Sequence, residues 1–342
     1  MRIIGSISVA LLFTSIAYAQ APQRQQTPEQ QAAQKARADA TAADHQNMLD
    51  QLKIINLRRG RDGNDPASPY HANYDESKAN PFPVWPDPLT FKDGKKVTKA
   101  SEWPKRRAEI EEDFSREIYG RVPKNMPRVT WKVFKDTDQV VNNIPVNFKQ
   151  LVGHVDNSSY PAINVDIQLT LMVPKNAAKA VPVIMVYGGQ DFLNPAPAGA
   201  FGFGGPPRAG ANNQPRPKSP QEQILEKGWA YATINPGSVQ ADDGGGLTKG
   251  IIGLVNKGQW RKPDDWGVLR AWAWGADRAL DYFETNKAVD AKKVALEGHS
   301  RWGKATLVSM AFNTRLAAAY VSSSGQGGAK PGRRDAGEVV EI

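Results

Sequence analysis

The sequence predicts an α/β fold of three layers, with an antiparallel first part followed by a parallel sheet covered by helices on both faces. Three observations predict it. Runs rich in β-branched residues at VTWKVF (129–134), VNFKQLVGHV (146–155) and VDIQLTLMVP (165–174) follow one another with no helical pattern between them, as an antiparallel ribbon requires. The later runs VPVIMVY (181–187), GWAYATI (228–234), KVALEGHS (293–300) and LAAAYVSSSG (316–325) are near-continuously apolar. They alternate with helical stretches such as 265–284, the pattern of parallel strands buried on both sides. The 342 residues, 40% hydrophobic and 23% charged, suffice for one large globular domain or two modest ones and fit neither a membrane bundle nor a disordered chain.

In chain order, residues 1–19 place Arg2 before an apolar run ending in Ala17-Tyr18-Ala19, a small-x-small cleavage pattern that predicts an export signal. That run falls short of the ~20 residues of a spanning helix, and a polar Gln-rich segment follows directly. Residues 20–60 read as a Gln/Ala-rich tether with one short helix. Positions 20–41 have almost no large apolar side chain to offset the entropy of ordering, whereas Met48, Leu52 and Ile55 suggest an amphipathic helix within 44–57. The globular domain is assigned to 61–342. Its first helix is expected from Ser101, as N-cap, along Ile110, Phe114 and Ile118 to a stop at Gly120. Between 191 and 220, 7 Pro and 5 Gly in 30 residues predict a loop too long for a simple connector. No internal repeat is present.

Composition narrows the chemistry. With no cysteine, the chain has no disulfide, thiolate metal site or cysteine nucleophile, so catalysis must use oxygen and nitrogen groups. The 44 Lys and Arg against 35 Asp and Glu give a net charge of +9, spread along the chain, which suits solubility and anion attraction better than a nucleic-acid face. The expectation is therefore no nucleic-acid partner, no membrane partner after signal cleavage, no cofactor and no metal, with the oligomeric state left open. DDGGG at 242–246 lacks the ligand spacing of a calcium loop and reads as a turn. FGFGG in the long loop has no following helix with Lys-Ser/Thr and is not a phosphate cradle. YGG at 187–189 ends a strand at a place suited to backbone oxyanion donors.

The sharpest chemical feature is KVALEGHSRWGKATLVSMAF. A buried-type strand runs into Gly298 and Ser300, then into a helix whose packing positions are Ala305, Val308 and Phe312. A serine at such a junction sits on a tight turn with its hydroxyl above the carboxyl edge of the sheet, which makes Ser300 the candidate nucleophile. A serine that only N-caps the helix is the competing reading. The general elbow pattern is GxSxG; here Trp302 occupies the second glycine position and Gly303 follows one place later. An antiparallel ribbon, a parallel body and this elbow together outline an α/β-hydrolase.

GHSRWGK resembles the GCSRxGK signature of the glucuronoyl esterases, carbohydrate esterase family fifteen. NYDESKANPFPVWPDPL, REIYGRVP, GQWRKPDDWGVLRAWAWGADRALDYFE and SSSGQGGAKPGRRDAGEVVEI are similar to the bacterial branch, so the likeness covers about residues 60 to 342. It implies an exported serine esterase that cuts the ester between 4-O-methylglucuronic acid on xylan and lignin alcohols, with glucuronoxylan or a lignin–carbohydrate ester as substrate. It also implies roles for particular residues. Arg301 would stabilise the oxyanion, as its guanidinium, a charge-assisted donor, is suited to do. Lys304 and Glu338 would hold the sugar, and Trp260 would lie near the cleft. Trp266, Trp272 and Trp274, in the helical stretch, read as core. The enzyme alternatives are an acetylxylan esterase or a general carboxylesterase, and the alternative of another class is an inert or polysaccharide-binding protein.

Two departures from the pattern bear on catalysis. Ser323 stands where fungal relatives carry the acid of the triad, and a serine cannot charge-stabilise a histidine. The four histidines, His45, His71, His154 and His299, all precede Ser300, whereas the fold orders nucleophile, acid, histidine. His45, His71 and His154 read as surface or structural, and His299 as a local hydrogen-bonding partner. The expectation is a C-terminally truncated piece of a longer enzyme, inactive alone, with the acid and histidine beyond Ile342.

Overall fold

A computed structural model describes residues 27–57, 59–80, 84–195, 217–330 and 337. The export signal, the body of the Pro/Gly loop and Glu338 lie outside the described residues. Among the described residues, no helix is long and apolar enough to cross a membrane.

The first element corrects the tether. Helix α1 spans Pro28–Leu52, so it covers most of the 20–41 segment and ends before Ile55. Its start is a capping box: Thr27 Oγ1 accepts from the Gln30 backbone N–H at 3.2 Å and Gln30 Oε1 from that of Thr27 at 3.0 Å, with Pro28 opening the helix. Between the caps lie Ala, Gln, Lys and Arg, all strong helix formers. An apolar stripe is missing, and the buried residue of α1 is the charged Asp44. Helix α2 (Trp103–Phe114) also starts differently. Ser101 sits within a short 3₁₀ turn, and it is the Glu102 carboxylate that reaches back to the Thr98 and Lys99 N–H groups at 2.8 and 3.1 Å. A π-helical turn, Ser115–Tyr119, carries the helical path from Phe114 to its expected stop at Gly120, which has φ +79° and no room for a Cβ, since one would lie 2.2 Å from the Asp265 carbonyl oxygen.

The sheet comprises β1 (Val129–Val141), β2 (Ile144–Val155), β3 (Asp166–Pro174), β4 (Val181–Tyr187), β5 (Ala230–Ile234), β6 (Val289–His299) and β7 (Ala318–Ser322). Their spatial order is β1-β2-β3-β5-β4-β6-β7. The β1/β2, β2/β3 and β3/β5 pairs are antiparallel, and β4/β5, β4/β6 and β6/β7 are parallel. β1 outruns the expected 129–134 because Asn142 and Asn143, at φ +46° and +65°, make a two-residue hairpin turn that pairs Val141 with Ile144.

From β4 the chain crosses first to β5 on one side and then to β6 on the other. That reversal falls at the carboxyl ends of β4 and β6, the place where open α/β sheets bind ligands. Helices α3 (Pro220–Glu226), α4 (Gly250–Val255), α5 (Val268–Thr285) and α6 (Arg301–Phe312) complete the fold, with α5 packed on α6 and β6. This is the α/β three-layer architecture of the hydrolases. Trp266, Trp272 and Trp274 belong to its core, and the Trp272 indole N–H donates to the Gln240 carbonyl at 2.9 Å.

Beneath α6 lies a buried polar cluster. The Tyr187 hydroxyl meets Ser309 Oγ at 2.9 Å, and the Asp277 carboxylate of α5 accepts from Asn313 Nδ2 at the end of α6. Burial pushes the Asp277 pKa up, against the opposing pull of the Asn313 hydrogen bond and of Arg278, Arg315 and Arg270. A carboxyl raised in the folded state contributes stability while protonated, and that contribution is lost as pH rises from the ordinary carboxylate pKa through the folded one. Asp277→Asn, isosteric and neutral, should therefore shift the melting temperature more favourably at pH 7 than at pH 4. Parallel thermal melts check this, and the opposite ordering would contradict the burial argument.

Candidate active site

Ser300 terminates β6 and starts α6 at φ +56°, ψ −124°, a conformation rarely open to a residue with a side chain and worth about 1–3 kcal/mol of strain. It is held there from both sides. The Ser300 N–H donates to the Ser322 carbonyl of β7 at 2.9 Å, and the Ser300 carbonyl accepts from Lys304 N–H at 3.0 Å, closing the first turn of α6. Its side chain makes no capping bond to the helix, and the residue is exposed. Ser300 thus sits exposed at the carboxyl edge of the sheet, where β4 and β6 end side by side.

Two glycines make the bend possible. A Cβ at Gly298 would lie 2.3 Å from the Trp302 carbonyl oxygen, and one at Gly303 would lie 2.5 Å from the Ser322 carbonyl oxygen. The second glycine of the elbow therefore falls at 303 because β7 crosses closest there. Trp302 instead turns its indole toward the end of β4: a Cβ at Gly188 would meet its ring at 3.9 Å. The YGG segment accordingly borders the elbow.

Arg301 occupies the first position of α6, where backbone N–H groups have no partner within the helix. Its guanidinium Nη1 donates to Asp242 Oδ2, and the two side chains are about half exposed. Asp242 comes from the segment after β5, tied internally by the buried Gln240. Gln240 Nε2 donates to the Gly246 carbonyl at 2.8 Å, and its Oε1 accepts from Ile252 N–H at 3.1 Å. α1 braces the same segment from outside, through Arg37 to Asp243 at 3.8 Å and Thr41 Oγ1, which accepts from Gly245 N–H at 2.9 Å. The DDGGG turn is thus the platform for the partner of Arg301. The sequence reading missed Asp242, although its pairing with an arginine 59 residues away leaves no local signal.

Lys304 lies one turn along α6 from Ser300. Trp260, half exposed, sits on the turn after α4 and lines a cleft with residues of α1. The histidines are engaged elsewhere. His154 Nδ1 contacts Asp166 Oδ1 at 2.8 Å, His299 Nδ1 contacts Ser322 Oγ at 3.0 Å, His71 packs against Tyr74, and His45 faces solvent on α1. Ser323 is exposed at φ +45°. Among the described residues, no group of three or more His, Asp or Glu could hold a metal ion.

Comparison with known proteins bears on the family and the fold. A family model described as glucuronyl esterase, fungi, matches residues 249–339, which contain the elbow and its flanks. A glucuronoyl esterase of carbohydrate esterase family 15 from Teredinibacter turnerae superposes with a TM-score of 0.73 at 38% identity, covering 86% of this chain and 69% of that one. A glucuronoyl esterase from Solibacter usitatus gives 0.63 at 32% identity, with 76% and 68% covered. The carbohydrate esterase MZ0003 of an unknown prokaryotic organism is 31% identical over 80% of this chain and 66% of its own length. The 4-O-methyl-glucuronoyl methylesterase of Cerrena unicolor is 23% identical, and the chain spans 44% of its length. With the order of the strands and a relative 38% identical over 86% of this chain and 69% of its own in agreement, the chain belongs to the glucuronoyl esterases of carbohydrate esterase family 15.

Proposed function

We propose that the chain carries the nucleophile and oxyanion donor of an exported serine esterase that hydrolyses the ester between 4-O-methylglucuronic acid on xylan and lignin alcohols. The observation that carries the proposal is a serine held at positive φ on a strand-to-helix turn, directly followed by an arginine oriented by a carboxylate. Ser300 Oγ attacks the ester carbonyl as its proton passes to a general base, and the carbonyl π pair moves onto oxygen. Arg301 receives that oxyanion, from its guanidinium and from the N–H at the start of α6. Collapse of the tetrahedral intermediate expels the alcohol, which takes the proton, and leaves a glucuronoyl-serine that water hydrolyses by the same steps. Lys304, with its cationic head one turn away, and Trp260 hold the sugar, and Glu338 is assigned the same task from its place in RRDAGE. Export is supported by the composition of residues 1–19.

The test is hydrolysis of benzyl glucuronate against acetylated xylan by the full-length gene product. Preferential cleavage of the glucuronate ester is expected, with Ser300→Ala lowering kcat by about 10⁴-fold or more while substrate binding persists. A clear preference for acetylated xylan would replace the substrate assignment with a deacetylase, and undiminished turnover by Ser300→Ala would reject the nucleophile. Xylan binding without cleavage of any ester would favour a polysaccharide-binding protein.

A further inference from the structure

α1 poses a physical question, because none of its 25 residues belongs to the hydrophobic core and its one buried side chain is an aspartate. Met48 and Leu49 are only half-buried. A helix docked in this way contributes little stability through apolar burial. Its contacts gather instead on the segment that carries Asp242.

The DDGGG turn is shaped to receive α1. Gly244–Gly246 form a 3₁₀ turn, and a Cβ at Gly245 would lie 2.8 Å from the Arg37 carbonyl oxygen and 3.2 Å from Ala40 Cβ, while one at Gly244 would lie 2.8 Å from Thr41 Cγ2. Neither glycine has a positive φ, so what excludes a side chain there is the close approach of α1 and not the turn's own backbone. Polar contacts close the seat. The Thr41 hydroxyl donates to the Arg37 carbonyl at 2.9 Å and accepts the Gly245 N–H at 2.9 Å, and Arg37 Nε faces Asp243 Oδ2 at 3.8 Å. Further along α1, Asp44 pairs with Arg261 at 3.6 Å, with side chains only 11% and 18% exposed, and Gln51 Nε2 donates to the Arg261 carbonyl at 2.9 Å. Sliding of α1 would leave those charges buried and unpaired, so the helix has one register on the turn.

That register reaches the elbow in two steps. Asp242 stands just ahead of Asp243 and the seated glycines, and its carboxylate accepts from Arg301 Nη1. Arg301 in turn opens α6 beside Ser300. An ion pair as exposed as this one holds its partners only weakly by itself. The direction of the Arg301 guanidinium therefore depends on what fixes Asp242. Gln240 ties the turn from the inside and α1 clamps it from the outside, with Asp242 between them.

We propose that α1 is a positioning element for the reaction: seated on Gly244 and Gly245, it holds Asp242, and through it the Arg301 guanidinium, in line for the oxyanion, so that docking of α1 sets kcat. Thr41 and Gly245 are the positioning residues. The proposal rests on the reading of Arg301 as oxyanion donor. Steady-state kinetics of the full-length protein on benzyl glucuronate test it, together with hydrogen exchange followed by mass spectrometry over residues 240–246 and 299–304. Gly245→Ala and Thr41→Val should each lower kcat by about tenfold at nearly unchanged KM, short of the ~10²-fold that a 1 Å misplacement can cost, with circular dichroism verifying the fold of each. Thr41→Ser, which keeps the hydroxyl, should recover most of the loss. In an Asp242→Asn background, Gly245→Ala should cost at most about twofold more, because its effect runs through that carboxylate. Exchange should quicken in both segments. Wild-type kcat in both folded variants, the full tenfold loss repeated in the Asp242→Asn background, or unaltered exchange over 299–304 would each overturn the role of α1. Arg301→Ala separates this inference from the reading beneath it. If that variant keeps wild-type kcat, or if the wild type cleaves no glucuronate ester, the oxyanion assignment fails, and exchange over 299–304 in Gly245→Ala alone decides whether α1 positions Arg301.

Discussion

Arg301→Ala should lower kcat on a glucuronate ester by about 10²–10³-fold, with a much smaller change in KM. The reason is when the interaction forms. The ester is neutral when it binds, and full negative charge sits on the carbonyl oxygen only as Ser300 attacks, so a cationic donor there stabilises the transition state more than the bound substrate. Loss of one such donor typically costs about 2.7–4 kcal/mol of barrier. Arg301→Lys should recover little of it. A planar guanidinium can donate to Asp242 and to an oxyanion at once, whereas an ammonium on a flexible stem cannot hold both partners in one plane. Asp242→Asn, which retains an acceptor for Nη1 but removes the charge, should give a smaller kcat defect than Arg301→Ala. Steady-state kinetics on benzyl glucuronate distinguish these outcomes. A kcat within a few-fold of wild type for Arg301→Ala would assign the oxyanion to the backbone N–H groups of α6 alone.

The parts of the molecule that were legible in the sequence are those governed by local pattern. β4 occupies the expected residues 181–187, because a central parallel strand with no exposed residue along it writes its burial directly into a run of apolar residues. The serine elbow was visible because the bend demands glycine where backbones cross. α1 escaped because apolar periodicity detects only helices that bury an apolar stripe, and α1 docks through Asp44, Arg37 and Thr41 instead. Its Thr27-Pro28-Glu29-Gln30 capping box was the signal to follow. The Asn142-Asn143 turn was a similar cue for the full β1–β2 hairpin. Asp242 had no such cue: its role exists only once β5 and β6 are brought to either side of β4, which places residues 242 and 301 together.

Gly298→Ala should be the most damaging single methyl group that can be added to the molecule near the elbow. The new Cβ would lie 2.3 Å from the Trp302 carbonyl oxygen, 2.5 Å from its carbonyl carbon and 2.6 Å from Thr306 Oγ1, so two of the three obstacles are backbone of the first turn of α6. Backbone cannot rotate aside as a side chain does. Either β6 shifts against β4 and β7, or α6 tilts away from the sheet. Overpacking of this kind costs typically about 1–3 kcal/mol of stability, which a domain of this size survives, so the folded population remains measurable by circular dichroism. Activity should suffer more than stability. Ser300 is fixed on one side by Ser322 of β7 and on the other by the first turn of α6, and movement of either displaces Oγ from the carbonyl it must reach. A displacement of about 1 Å is enough to cost about 10²-fold in rate. The expected result is a protein that melts cooperatively, a few degrees lower, with kcat on benzyl glucuronate down about 10²-fold. Full activity in a folded Gly298→Ala variant would mean that the turn tolerates a side chain and that Ser300 does not depend on it.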